Sequence, residues 1–318
     1  MRKGEGEGGL GWGGRIPDGL VRAQLDDNGA AGREFVDGLP GRVALFLERW
    51  ELRTTGPGMY GVTALVLPVE RADGTAAALK LPAPDEENAG EALALRAWAG
   101  EGCVRLLESD AATGTLLLER LDEARPLSAL AVRDSRRAVA VVGELLARLT
   151  AVPAPAGLRR LGDIAAGMLE AVPGALEQVA DGRARGLVAD CAAAVAEVAG
   201  EPGDRLLHWD LHYDNVLAGG AGGAGGGGAG GGRAEWLAID PKPLSGDPGF
   251  ELLPALVNNF RAGEVRWRFD LLAEAVGADR ERARAWTLGR VLQNCLWDLE
   301  DGDQPAQAQL AVAESLRA

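Results

Sequence analysis

The chain has 318 residues, 47% of them apolar and 25% charged, the proportions of an ordinary soluble globular protein with one large domain or two modest ones. Its 33 Lys and Arg against 47 Asp and Glu leave a net charge of −14, which argues against a nucleic-acid partner. Cys103, Cys191 and Cys295 are far apart, odd in number and free of any Cys-x-x-Cys spacing, so they point away from a disulfide framework or a zinc site.

Residues 1–16 are glycine-rich and charged and read as a disordered tail. A helical pattern follows to about Trp50, with breaks expected at Gly38, Pro40 and Gly41. "VTALVLPV" and "AAALKL" read as strands joined by a tight turn at Asp73-Gly74, the second ending near Lys80. Helical spacing runs from Glu86 to Trp98 and stops at Gly100. "CVRLLESD" and "GTLLLERL" read as two further strands, which completes a small antiparallel sheet with one helix. From Asp122 the pattern turns helical, over about 135–152, 161–180 and 183–199, so the boundary between a 17–122 lobe and a 123–318 lobe is drawn there. "GGAGGAGGGGAGGG", within 219–232, has no side chains to bury and reads as an inert flexible insert between a strand ending near Leu217 and a second one at "EWLAID". The last third is again helical. With no signal-peptide core and no run of eighteen apolar residues, a cytoplasmic protein without membrane contact is expected.

The chemistry concentrates in "HWDLHYDNVL", which holds both histidines of the chain. One reading makes His208, Asp210 and His212 the ligands of a metal-dependent hydrolase. Such sites ordinarily take three or more protein ligands, and two histidines fall short unless carboxylates complete the set. The other reading takes His-x-Asp-x-x-x-x-Asn as a phosphoryl-transfer loop. Asp210 would orient a hydroxyl and take its proton, and the neutral amide of Asn215 would ligate a magnesium ion without adding charge beside phosphates. That reading requires a hairpin after Asn215 leading to a second metal-binding carboxylate, and "NVLAGG" with "EWLAID" supplies one ending at Asp240. It also requires an upstream strand lysine with a helix carboxylate, for which Lys80 and Glu86, Glu87 or Glu91 stand in order. His208 and His212 are then braces of the loop, and Trp209 is packing.

These segments, with "LLHWDLHYDNVLAG", "WLAIDPKPLSGDPGFELLPAL" and "RARAWTLGRVLQNCLWDLED", resemble the aminoglycoside phosphotransferases, in particular the streptomycin 6-kinase and hydroxyurea phosphotransferase branch. Asp-Pro-Lys-Pro in place of Asp-Phe-Gly marks that branch, and the resemblance spans about 40–316. It implies an α+β, two-lobed protein-kinase-like fold, with a small antiparallel-sheet N-lobe carrying one main helix and a larger, mostly helical C-lobe. It implies ATP and Mg²⁺ as cofactors and phosphoryl transfer to a hydroxyl of a cationic or sugar-like small molecule of the streptomycin type. Asp210 would be the base, Asn215 and Asp240 the metal ligands, and Lys80 the phosphate contact paired with Glu91. Gly58 and Gly61 would cover the nucleotide, and Glu119 and Leu121 would meet its base through the backbone. Rival readings are a kinase of an amino sugar or hydroxyurea, the hydrolase above, and a catalytically silent nucleotide-binding protein. The acidic run Asp298, Glu300, Asp301 and Asp303 reads as an exposed helix end rather than a cation site, and a monomer or weak homodimer is expected.

Overall fold

The structure is a computed structural model that describes residues 13–61, 63–220 and 235–317. The tail expected over 1–16 lies outside the described residues up to position 12, and the glycine insert lies outside them beyond Gly220. Two compact units emerge. One takes the described residues through Ala92, Arg105–Leu121 and Gly220; the other takes Leu93–Val104, Asp122–Gly219 and the described residues from 235 on.

In the first unit, helix α1 (Asp18–Arg49) continues through Pro40, and its kink, where two helical segments meet, lies instead at Gly29, with φ 52° and ψ −116°. The breaks expected at Gly38, Pro40 and Gly41 are therefore absent. Phe35, Leu39, Val43 and Phe46 form a buried stripe across that segment, and its burial outweighs the one backbone hydrogen bond that an exposed proline removes. The stripe packs on strands β1 (Leu52–Thr54), β3 (Ala64–Arg71) and β4 (Ala76–Pro82) through Leu52, Leu65, Leu67, Leu79 and Leu81, while the two-residue strand β2 (Met59–Tyr60) pairs with β3. The short strands β1 and β2 escape sequence reading because two or three residues carry no periodic signal. Asp73-Gly74 does close the β3–β4 hairpin, with Gly74 at φ 82° and Asp73 Oδ1 accepting the Thr75 N–H at 2.9 Å.

Helix α2 (Glu91–Trp98) begins five residues later than the spacing from Glu86 indicates. Asp85 accounts for the delay: its carboxylate accepts the Glu87 N–H and its carbonyl the Asn88 and Ala89 N–H groups, winding the chain into a turn. Strands β5 (Leu106–Ser109) and β6 (Leu116–Glu119) complete an antiparallel sheet of order β1-β3-β4-β6-β5, with β2 beside β3.

The second unit opens with β7 (Asp122–Pro126) and α3 (Leu127–Arg133), neither expected from the sequence, and continues with α4 (Ser135–Leu149). β8 (Arg159–Arg160), α5 (Leu161–Gln178), α6 (Gly182–Val198) and β9 (Arg205–Leu207) follow. β10 (Val216–Ala218), β11 (Trp236–Ala238), β12 (Leu244–Gly246), α7 (Leu253–Val257), α8 (Val265–Ala275), α9 (Arg280–Glu300) and α10 (Gln307–Leu316) complete it. α9 is buried on nearly every side between Ala283 and Leu299 and packs against α5, α6 and α10, which makes it the axis of this unit. Two three-stranded sheets, β11-β10-β7 and β8-β12-β9, frame residues 208–215, since β9 leads into that loop and β10 leads out of it. Among the described residues no helix is long and apolar enough to cross a membrane.

Candidate active site

Strand alternation decides where Lys80 points. Leu79 and Leu81 face the α1 core, so Lys80 between them stands on the opposite face of β4. There its Nζ lies 2.7 Å from both carboxylate oxygens of Glu91, in the first turn of α2, with the two side chains only 6% and 3% exposed. Of the three glutamates the sequence offered, the late start of α2 selects Glu91.

In the same unit Gly58 and Gly61, expected in a turn, instead flank strand β2, which pairs antiparallel with β3 through Met59–Val66 and Tyr60–Leu65. A Cβ at Gly61 would meet open space, and its φ lies outside the left-handed region, so neither packing nor backbone strain calls for glycine there. Val62, next to it, lies outside the described residues. Glu119 closes β6; its N–H goes to the Arg105 carbonyl at 2.9 Å and its carboxylate accepts the Arg105 N–H at 2.7 Å. Leu121 is buried two residues on.

The loop of the second unit is built around Asp210. The Asn215 side chain donates to the Asp210 carbonyl at 2.9 Å, and the Lys242 N–H donates to the His208 carbonyl at 3.0 Å. The β10–β11 hairpin, whose ladder continues as Ile239 N–H to Asn215 O at 2.9 Å, carries Asp240 to the same place. Asn215, its Nδ2 engaged with Asp210, retains an amide oxygen, and Asp240 adds a carboxylate. An all-oxygen pair of this kind suits a hard divalent cation such as Mg²⁺.

Asp210 is held above the ordinary carboxylate range, chiefly because burial penalises its charge, with the Asp240 charge adding to the effect. Lys242, whose Nζ is 3.7 Å from Oδ2, opposes the rise most, followed by His212 and Arg290. Lys242, two residues beyond Asp240, faces Asp210.

Behind Asp210 the backbone is strained. Trp209 sits at φ 66°, a conformation bulky residues seldom adopt. It is held there from below by the fully buried Glu251, whose oxygens accept the Trp209 N–H at 2.9 and 3.0 Å. Its ring lies between the guanidinium groups of Arg159, at 4.3 Å, and Arg290, at 4.6 Å. Burial pushes Glu251 up to about 7 against the loop N–H groups and Arg290, which favour its charge. Asp247, which caps the following turn by accepting the Gly249 N–H at 2.8 Å, fixes the segment that carries Glu251. Because Glu251 satisfies buried loop N–H groups, Glu251→Ala is expected to destabilise the protein by about 1–3 kcal/mol, measured as a lowered urea midpoint.

Sequence reading passed over Glu251 and Arg290. Glu251 lies in "DPGFEL", which also reads as an ordinary helix start, and Arg290 is one of many arginines on α9. Both histidines brace the loop: His208 Nε2 lies 3.0 Å from the Ile239 carbonyl and Nδ1 accepts the Asp210 N–H at 3.4 Å, while His212 Nδ1 accepts the Asp214 N–H at 3.2 Å. With both its nitrogens so engaged, His208 is poorly placed to ligate a metal. Among the described residues no group of three or more His, Cys, Asp or Glu gathers at metal-binding distance. The acidic run closes α9: Glu300, Asp301 and Asp303 are exposed, and Asp298 accepts the Ala306 N–H at 2.9 Å.

Residues 49–302 match the family described as aminoglycoside/hydroxyurea antibiotic resistance kinase. A hydroxyurea phosphotransferase of Kitasatospora aureofaciens is 68% identical over 302 residues, covering 95% of this chain and 85% of that protein. A streptomycin 6-kinase of Streptomyces griseus is 50% identical over 310 residues, covering 95% and 96%. Among solved structures, a choline/ethanolamine kinase family protein from Mesorhizobium loti superposes with a TM-score of 0.59 at 20% identity, over 89% of this chain and 92% of the other. At that identity the likeness speaks for the fold alone, a protein-kinase-like one.

Proposed function

The chain belongs to the aminoglycoside/hydroxyurea antibiotic resistance kinases, and on that footing we propose that it moves the γ-phosphoryl group of ATP to a hydroxyl of a small-molecule antibiotic, with Asp210 as the base. The observation that carries this reading is the bracing of Asp210. Asn215 ties its carbonyl, Glu251 holds the preceding N–H, and Lys242 stands against its carboxylate. Phosphoryl transfer depends mostly on positioning and charge neutralisation, and a carboxylate whose backbone is held at Asp210 and at Trp209 provides the first.

In this scheme Asp210 orients the acceptor hydroxyl and takes its proton as the new bond to phosphorus forms. Lys80, aligned by Glu91, pairs with oxygens of the α- and β-phosphates. Gly58 and Gly61, on either side of β2, cover the phosphates, and their lack of side chains lets the backbone come close at those two positions. Glu119 and Leu121 meet the nucleotide base through backbone groups, and for Glu119 that role falls to its carbonyl, since its N–H is already donated within the sheet. Asn215 and Asp240 would hold Mg²⁺, which when bound neutralises charge on the transferring phosphoryl group. His208 and His212 keep the loop in shape.

For the acceptor, the higher identity to the hydroxyurea phosphotransferase supports a hydroxyurea-type molecule, and the 50% identity to a streptomycin 6-kinase keeps a streptomycin-type aminoglycoside as the second reading. The test is ADP formation with Mg²⁺ and ATP across hydroxyurea, streptomycin, other aminoglycosides and amino sugars, beside an Asp210→Ala control. Stimulation by one acceptor, absent in the control, is the expected result. Stoichiometric bound zinc or iron with no nucleotide requirement would favour the hydrolase instead.

The pH profile follows from the charges around Asp210. The base works ionised, so the acidic limb of kcat/KM is expected above the usual carboxylate value of about 3.9. Lys242 lowers the pKa of Asp210, so Lys242→Met is expected to shift that limb to still higher pH. A limb that stays put in the variant would mean that Asp210 is not the titrating base.

A further inference from the structure

Strand register places the two residues of β2 on opposite faces of the sheet. Met59 pairs with Val66 and Val66 with Lys80, so Met59 shares the face from which Lys80 projects. Tyr60 pairs with Leu65, which is buried in the core beneath α1, so its ring lies on the α1 side. There it stays 53% exposed, at the rim of that core rather than inside it.

What Tyr60 meets at the rim is Gly19, in the first turn of α1. A Cβ at Gly19 would collide with the phenol hydroxyl and the adjoining ring atoms, so the edge of the ring rests on bare backbone. The kink at Gly29 brings Gly19 there. Gln24 and Gly32 would stand about 12 Å apart along a straight helix, yet a Cβ at Gly32 would collide with the Gln24 carbonyl oxygen. The chain therefore doubles back at Gly29. Its first arm is held down by Leu20, buried in the same cluster as Leu65, and by the buried Gln24. Backbone pairing over two residues holds β2 only weakly, and the Tyr60–Gly19 contact adds an anchor on the side away from Lys80.

Resting on the reading that Gly58 and Gly61 cover the phosphates, we propose that Tyr60 is a positioning residue for the nucleotide. Seated on Gly19, it fixes β2 from the α1 side and sets how closely the two glycine backbones approach the phosphate groups of Mg·ATP.

The experiment measures the dissociation constant of Mg·ATP by isothermal titration calorimetry of the full-length protein, with thermal melting of the same samples. Gly19→Ala suits it, because alanine is the better helix former and the group it displaces is the free end of the Tyr60 side chain, so the fold should hold. Gly19→Ala and Tyr60→Ser are each expected to weaken Mg·ATP binding by about tenfold without a matching fall in melting temperature. Tyr60→Phe, which keeps the ring, should bind as the wild type does. Gly19→Ala combined with Tyr60→Ser should bind no more weakly than either alone, since the glycine acts through the tyrosine. Unchanged affinity in both single variants, losses that add in the double variant, or losses that only follow a lowered melting temperature would overturn the assignment. Should Gly19→Ala not fold, Tyr60→Ser and Tyr60→Phe still decide. Binding that responds as expected without any acceptor-dependent ADP would keep this inference and overturn the phosphotransferase reading, whereas a wild type that does not bind Mg·ATP would overturn both.

Discussion

Asp210→Asn is expected to lower kcat by about 10²–10⁴-fold, the usual contribution of a positioned general base, with the fold intact. Asn has the shape of Asp and keeps the backbone carbonyl that Asn215 binds, so the loop retains its geometry. Burial already disfavours the charge at this position, which means that a neutral side chain is not destabilising on that account. The loss should appear in kcat rather than in the KM for ATP, because the lost interaction is with a proton in flight and not with the nucleotide. Thermal melting alongside steady-state kinetics makes the comparison. Near-wild-type turnover in a folded variant would show that the hydroxyl proton leaves without Asp210.

The second large effect is expected at Lys80 and Glu91. Glu91→Ala leaves the buried Lys80 ammonium without the carboxylate that lies 2.7 Å from it, and destabilisation of about 3–5 kcal/mol is expected, read as a lowered urea midpoint. The double change Lys80→Met with Glu91→Leu removes both charges and should recover most of that stability, since a buried ion pair is often no better for stability than apolar side chains of similar size. Activity should not recover with it. That separation of stability from turnover distinguishes a functional pair from one that merely holds α2 to β4. A double variant as active as the wild type would assign the pair to structure alone.

Much of the fold was legible because its signals are local. The β3–β4 hairpin has Asp73-Gly74 between two apolar runs, and α4, α5 and α6 have sustained helical spacing. The loop residues Asp210 and Asn215 were readable from their separation, and Asp240 from the hairpin that has to follow them. Elsewhere local signals were misleading or silent. Glycine and proline at 38–41 suggested a break that the buried stripe of α1 overrides, and Asp85 turned a helical pattern at Glu86 into a capped turn. Glu251 and Arg290 carry no motif. Their part depends on α9 and the 247–251 turn being folded against the loop, which no spacing in the sequence records.

Phosphorylation of a hydroxyl group by means of Asp210 leaves a product that can be observed directly. Phosphorus NMR of a reaction containing the full-length protein, ATP, Mg²⁺ and hydroxyurea tests it most directly, with streptomycin in a parallel sample and Asp210→Ala in a third. A new phosphate-ester resonance is expected to grow with ADP in one of the acceptor samples and to stay absent in the variant. ADP accumulating only with inorganic phosphate, or a phosphorylated acceptor formed equally well by Asp210→Ala, would contradict it.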